Sequence, residues 1–117
     1  MKTVTIYHNP KCSKSRETLA LLEQKGIEPN IILYLEHAPS VETLKTLLNQ
    51  LGFTSARQLM RSKEELYQEL DLANEGLTEQ QLLAAMHAHP KLIERPIVVA
   101  NGQARIGRPP ENVLAIV

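Results

Sequence analysis

Thr3-Val4-Thr5-Ile6-Tyr7-His8-Asn9-Pro10-Lys11-Cys12-Ser13-Lys14-Ser15-Arg16 runs from a strand through a turn into a helix. Thr3 to Tyr7 are β-branched or aromatic, the composition of a short buried strand, and His8-Asn9-Pro10 interrupts it as a turn. From Ser13 onward Leu19, Leu22 and Ile27, with Ala20 and Leu21, form an apolar stripe at helical spacing; Ser13 is available as the cap, Glu17 lies near the first turn and Gly26 is the stop. The strand therefore delivers Cys12 to a helix N-terminus. Asn30 to Leu35 follows as a near-continuous apolar run, which predicts a strand covered on both faces and completes a βαβ unit.

Ser40 can cap a second helix whose Leu44, Leu47, Leu48 and Leu51 share one face, with Gly52 ending it. Short helical pieces are predicted around Arg57 to Met60 and from Ser62, where Ser62-x-x-Glu65 has capping-box spacing. Thr78-x-x-Gln81 is a second box, Leu77 and Leu82 are placed as a hydrophobic staple, and Pro90 closes the helix bearing Leu82, Leu83 and Met86. These pieces form a helical insertion over about 40–90. Beyond it, Ile97 to Ala100, Asn101-Gly102 and Gln103 to Ile106 read as an antiparallel hairpin, because Asn-Gly tolerates the positive φ angles of a type I′ turn. Pro109-Pro110-Glu111 then starts a terminal helix with Val113, Leu114 and Val117.

The order βαβ, inserted helices, ββα predicts an α/β fold, a mixed sheet of thioredoxin-like topology with flanking helices, in a single domain over 1–117. Arg95-Pro96 falls just before the third strand, where that topology sets a cis-proline beside its cysteine; cis geometry itself is not legible in a sequence.

A chain of 117 residues has room for one core. Its net charge of zero gives no reason to expect a nucleic acid or an anionic membrane as partner, so any anion must meet locally clustered charge. No apolar run approaches the roughly 20 residues of a membrane span and no signal-peptide pattern opens the chain, so the expected compartment is the cytoplasm; a monomer is expected as well. The four histidines, His8, His37, His87 and His89, show no metal-ligand spacing, so a metal site has little support.

The single cysteine leaves three readings open: apolar filler, a metal ligand with distant partners, or a reactive thiol. Its surroundings favour the third. A thiolate needs positive surroundings, and a helix N-terminus supplies unpaired N–H groups and the positive end of a dipole. His8, Lys11, Lys14 and Arg16 add cationic or potentially cationic groups, although each alone is an ordinary turn or solvated surface residue. Ser15 stands where a C-x-x-C motif would have its second sulfur, so an external thiol must resolve whatever forms on Cys12.

Tyr7-His8-Asn9-Pro10-x-Cys12-x-x-Ser15-Arg16, Ile31-Ile32-Leu33-Tyr34-Leu35-Glu36, Arg95-Pro96-Ile97-Val98-Val99 and Arg108-Pro109 closely resemble the glutaredoxin-coupled arsenate reductase (ArsC) family, in one register over almost the whole chain. The resemblance implies that Cys12 attacks arsenate, that Arg61, Arg95 and Arg108 hold the oxyanion, and that His8 and Ser15 assist the thiolate. It further implies glutathione as co-substrate, glutaredoxin as the partner that reduces the mixed disulfide, and no bound cofactor. Guanidinium groups suit the task, offering paired planar donors to a tetrahedral anion; arginines before prolines otherwise serve mostly as surface or backbone-capping residues. The chain stops at Val117, so it resembles a short form lacking the charged C-terminal tail of the best known reductases. Two other functions fit the same residues: a monothiol glutathione-dependent protein-thiol oxidoreductase, and a non-enzymatic redox-responsive interaction protein with Cys12 as its switch.

Overall fold

The structure is a computed structural model that describes residues 3–117. The chain divides into two compact units, one running to His37 and resuming from Arg95 to Val117, the other Ala38–Glu94.

The first unit holds the sheet. β1 (Val4–Tyr7), α1 (Ser13–Gln24), β2 (Asn30–Ile32), β3 (Ile97–Ala100), β4 (Gln103–Ile106) and a closing 3-10 helix (Pro110–Ala115) follow in that order. The strands lie β2-β1-β3-β4, with β1 and β2 parallel and the other pairs antiparallel. This is the expected thioredoxin-like mixed sheet. Ile6 stands opposite Val98 across the central pair. Val4, Ile6, Val98 and Ala100 point to one face, as period-2 alternation requires, and bury themselves against Leu22 of α1 and Val113 and Ile116 of the C-terminal segment. Asn101 and Gly102 both take positive φ, 55° and 75°, so the hairpin turn is the one their side chains favour.

Three local expectations need correction. β2 is three residues long and lies at the sheet's edge, paired only with β1; the chain turns away after Ile32, leaving Ile31 and Leu35 exposed at 46% and 43%. A continuous apolar run is thus an edge strand plus a turn, not a strand covered on both faces. The cap of α1 is Cys12, and Ser13 is already its first helical residue. The terminal helix is 3-10 throughout, with Pro110 in its first turn.

The second unit contains α2 (Val41–Leu51), a 3-10 turn (Ala56–Leu59), α3 (Glu65–Glu69), α4 (Glu79–Ala88) and a 3-10 turn (Pro90–Leu92). Ser40 caps α2 through Thr43 N–H, and Gly52 ends it at φ 76°. The Thr78/Gln81 capping box opens α4, whose Leu82, Leu83 and Met86 are buried. Ser62 and Glu65 form no box: α3 starts after Glu64, without a side-chain cap. A box that the sequence reading missed, Ser55 with Gln58, opens the first 3-10 turn instead. The unit closes on a short antiparallel bridge between Met60 and Ile93, in which Arg61 N–H donates to Leu92 O at 2.7 Å and Glu94 N–H to Leu59 O at 2.8 Å. Among the described residues no helix is long and apolar enough to cross a membrane.

Candidate active site

Cys12 occupies the N-cap position of α1 with extended backbone (φ −94°, ψ 124°), so its sulfur stands where a Ser, Thr or Asp oxygen normally receives the first free N–H groups of a helix. The backbone is fixed there by Cys12 N–H donating to Asn9 O and Arg16 N–H donating to Cys12 O, both at 3.0 Å. The sulfur makes no hydrogen bond of full capping geometry, yet the N–H groups of Ser15 and Lys14 face it. No acidic residue lies in the first turn to compete for them; Glu17 is farther along, paired with Lys14 Nζ at 3.4 Å.

Two arginines come to this sulfur from the other end of the sequence. Arg108 Nη2 lies 3.7 Å from Cys12 Sγ, while its Nε donates to the carbonyl of Arg95 at 2.9 Å. Arg95 adds its own positive charge to the sulfur's surroundings. Partial burial pushes the Cys12 thiol pKa up, but the Ser15 N–H, Arg95, the Lys14 N–H and Arg108 together outweigh it, and the thiol titrates below its ordinary value. Cys12 is a partly exposed thiol and not a core filler.

The peptide bonds Arg95-Pro96 and Arg108-Pro109 are both cis, the first at the place the fold suggested. The corner carrying Arg108 is pressed against α1: a Cβ on Gly107 would run into Thr18 Oγ1 and sit 2.9 Å from Pro96 Cγ. Gly107 N–H also donates to Pro96 O at 3.0 Å. Glycine here lets the two proline corners and the helix approach closely enough to hold Arg108 at the sulfur.

His8 and Ser15 form a buried support behind the loop. His8 Nδ1 and Ser15 Oγ are 2.6 Å apart, and Asn9 N–H donates to the same Oγ at 3.0 Å. Ser15 is fully buried and His8 is 6% exposed. Burial, with Arg16 nearby, lowers the His8 pKa, so His8 is a neutral partner at physiological pH and not one of the cations around Cys12. Ser15, which His8 contacts, also presents its own backbone N–H to Cys12. Arg16 donates to Pro10 O at 2.9 Å, bracing the loop.

Arg61 belongs to the second unit. Its Nη1 meets Glu64 Oε2 at 3.2 Å and Lys91 O at 3.3 Å. Glu64 Oε1 also meets Lys91 Nζ at 3.5 Å, so one carboxylate serves two cations. Neither Glu64 nor Lys91 was signalled by the sequence, since a Glu three residues after an Arg is common on helical surfaces. Among the described residues no group of three or more His, Cys, Asp or Glu could hold a metal ion.

The ArsC family model matches residues 7–116 of the chain. The Escherichia coli K12 protein YfgD, itself uncharacterized, is 63% identical over 99% of this chain and 98% of its own length. An arsenate reductase of Haemophilus influenzae is 55% identical over 97% of this chain and 98% of its own. The solved structure of an arsenate reductase from Vibrio cholerae superposes with a TM-score of 0.97 at 66% identity, covering 98% of each chain. With a family model spanning nearly its whole length and relatives this similar end to end, the chain belongs to the ArsC family.

Proposed function

We propose that this protein is an arsenate reductase, in which Cys12 is the nucleophile, Arg61, Arg95 and Arg108 bind the oxyanion, and His8 and Ser15 support the thiolate. The observation that carries the reading is the ionisable sulfur at the head of α1 with Arg108 Nη2 3.7 Å away. A thiolate flanked by guanidinium forks suits an electrophile that is itself an oxyanion: the cations hold the anion in reach and offset the repulsion between two negative partners.

In the first step Cys12 thiolate attacks arsenic, an arsenate oxygen takes up protons and leaves as water, and a covalent thiol–arsenate adduct remains. A glutathione thiolate then attacks the Cys12 sulfur. The electron pair of the arsenic–sulfur bond stays on arsenic, which departs as arsenite, while the two thiols are oxidised to a Cys12–glutathione disulfide. Glutaredoxin returns Cys12 to the thiolate by exchange. The external reductant answers the monothiol site, since Ser15 offers no second sulfur. Such a cycle belongs to the reducing cytoplasm and needs no bound cofactor.

NADPH consumption in the presence of arsenate, glutathione, glutaredoxin and glutathione reductase tests the proposal. Wild type turns over and Cys12→Ser does not; equal rates for the two sink it. Turnover with a thioredoxin system but not with glutathione would keep the reductase and replace its reductant.

A further inference from the structure

Arg61 is held at three points within its own unit. Its backbone N–H is pinned to Leu92 O in the bridge to residues 92–94, its carbonyl accepts from Glu64 N–H at 3.0 Å, and its guanidinium is tied to Glu64 and the Lys91 carbonyl. The Arg61 and Glu64 side chains are 27% and 20% exposed, so this pair is better shielded from water than a surface ion pair, and Lys91 makes it a network. Both guanidinium contacts fall on Nη1. An oxyanion is best held by two parallel N–H groups, and an anchor through Nη1 leaves the Nε and Nη2 edge for such a fork. Lys91 offsets the charge of Glu64, so the trio retains a single net positive charge.

We propose that Glu64 is the positioning residue of Arg61: with Lys91 it fixes the guanidinium in one orientation before the anion arrives, and so sets the affinity for the oxyanion. The inference rests on the proposed role of Arg61 in binding arsenate. A long, flexible arginine loses rotamer freedom when it binds. Glu64 removes that loss in advance, as preorganisation does elsewhere.

The test is Glu64→Gln, measured in two ways. In the coupled assay KM for arsenate rises about tenfold with kcat within about twofold, because the lost contact is a charged hydrogen bond to a binding group and not to the reacting sulfur. Independently of turnover, the arsenate concentration that protects Cys12 from iodoacetamide rises by the same factor. Lys91→Met, which removes one of the two cations on Glu64 and leaves Arg61 in place, gives a smaller rise in both. In an Arg61→Ala background Glu64→Gln adds nothing further.

Loss of turnover in the wild type with arsenate protection intact would overturn the reductase reading and leave the positioning role standing. An unchanged arsenate requirement in Arg61→Ala would remove Arg61 from the site and Glu64 with it. A rise in Arg61→Ala without a rise in Glu64→Gln, an equal effect of Glu64→Gln in both backgrounds, or tighter arsenate binding on its removal would overturn the positioning role alone. Thermal melts of each variant separate a general loss of folding from a change at the site.

Discussion

Arg108 and Arg61 are both held by the protein's own oxygen atoms, but the oxygens differ in charge. Arg108 is braced by the neutral carbonyl of Arg95 and keeps its positive potential beside Cys12; Arg61 is braced by a carboxylate in addition to the Lys91 carbonyl and shares its charge with Glu64 and Lys91. A guanidinium anchored by a carbonyl can stabilise a nearby anion at full strength, and Arg108 joins the Ser15 N–H, Arg95 and the Lys14 N–H in lowering the Cys12 thiol pKa. One anchored by a carboxylate contributes direction more than field. The two regions also differ in construction: 96 positions separate Cys12 from Arg108, whereas Arg61 and Glu64 are three apart.

The largest effect is expected at Arg108. Arg108→Ala is expected to lower kcat/KM for arsenate about 100-fold, and to move the pH profile of Cys12 alkylation upward, because a cation that favours the thiolate is gone. Arg61→Ala should raise KM without moving that profile. Equal alkylation profiles for wild type and Arg108→Ala would mean that Arg108 does not act on the sulfur.

Gly107→Ala sharpens the same contrast through packing. The new methyl meets Thr18 and Pro96, and overpacking of this kind costs about 1–3 kcal/mol. Denaturant unfolding should show that loss, with the alkylation profile displaced as the Arg108 corner is pushed off α1. Adding Thr18→Ala should restore part of both, since Pro96 Cγ still lies 2.9 Å from the new methyl; no recovery at all would place the strain elsewhere. In the helical unit, Thr78→Ala removes the cap of α4 and costs about 1 kcal/mol. The Cys12 titration should stay where it is.

The smallest effect belongs to His8. Its folded pKa lies below the 6.5 of an ordinary histidine, so as pH falls through 6.5 the unfolded chain takes up a proton that the folded protein refuses. The stability present above that value is therefore lost as pH drops toward the folded pKa. His8→Asn should show a flatter acid limb in melting temperature against pH, and identical slopes would mean that His8 takes up its proton equally in the folded and unfolded chains.

Elements closed by near neighbours were legible in the sequence. Ser40 and Gly52 bound α2, Thr78 and Gln81 opened α4, and Asn101-Gly102 turned the hairpin, because each signal lies within a few residues of the group it satisfies. The strand delivering Cys12 to a helix start was legible for the same reason. What failed was context. Leu33 to Leu35 have strand composition, but only pairing decides whether a strand continues, and β2 has one neighbour. Ser62-x-x-Glu65 had the spacing of a box without the backbone to use it. His8 reads as a cation until its burial is known. Arg95 and Arg108 were expected at the sulfur through the family resemblance and their place beside the hairpin; composition alone does not encode that convergence, which depends on sheet order.

A sulfur that serves as the cap of α1 is also a good leaving group. The interactions that lower the Cys12 pKa stabilise its thiolate equally when it is expelled, so any disulfide formed there is primed to break with Cys12 departing and the partner thiol retained by the attacker. Each oxidation takes a negative charge away from the helix end, and each reduction restores it. The resting form toward which the protein relaxes is thus the reduced one, ready for another encounter.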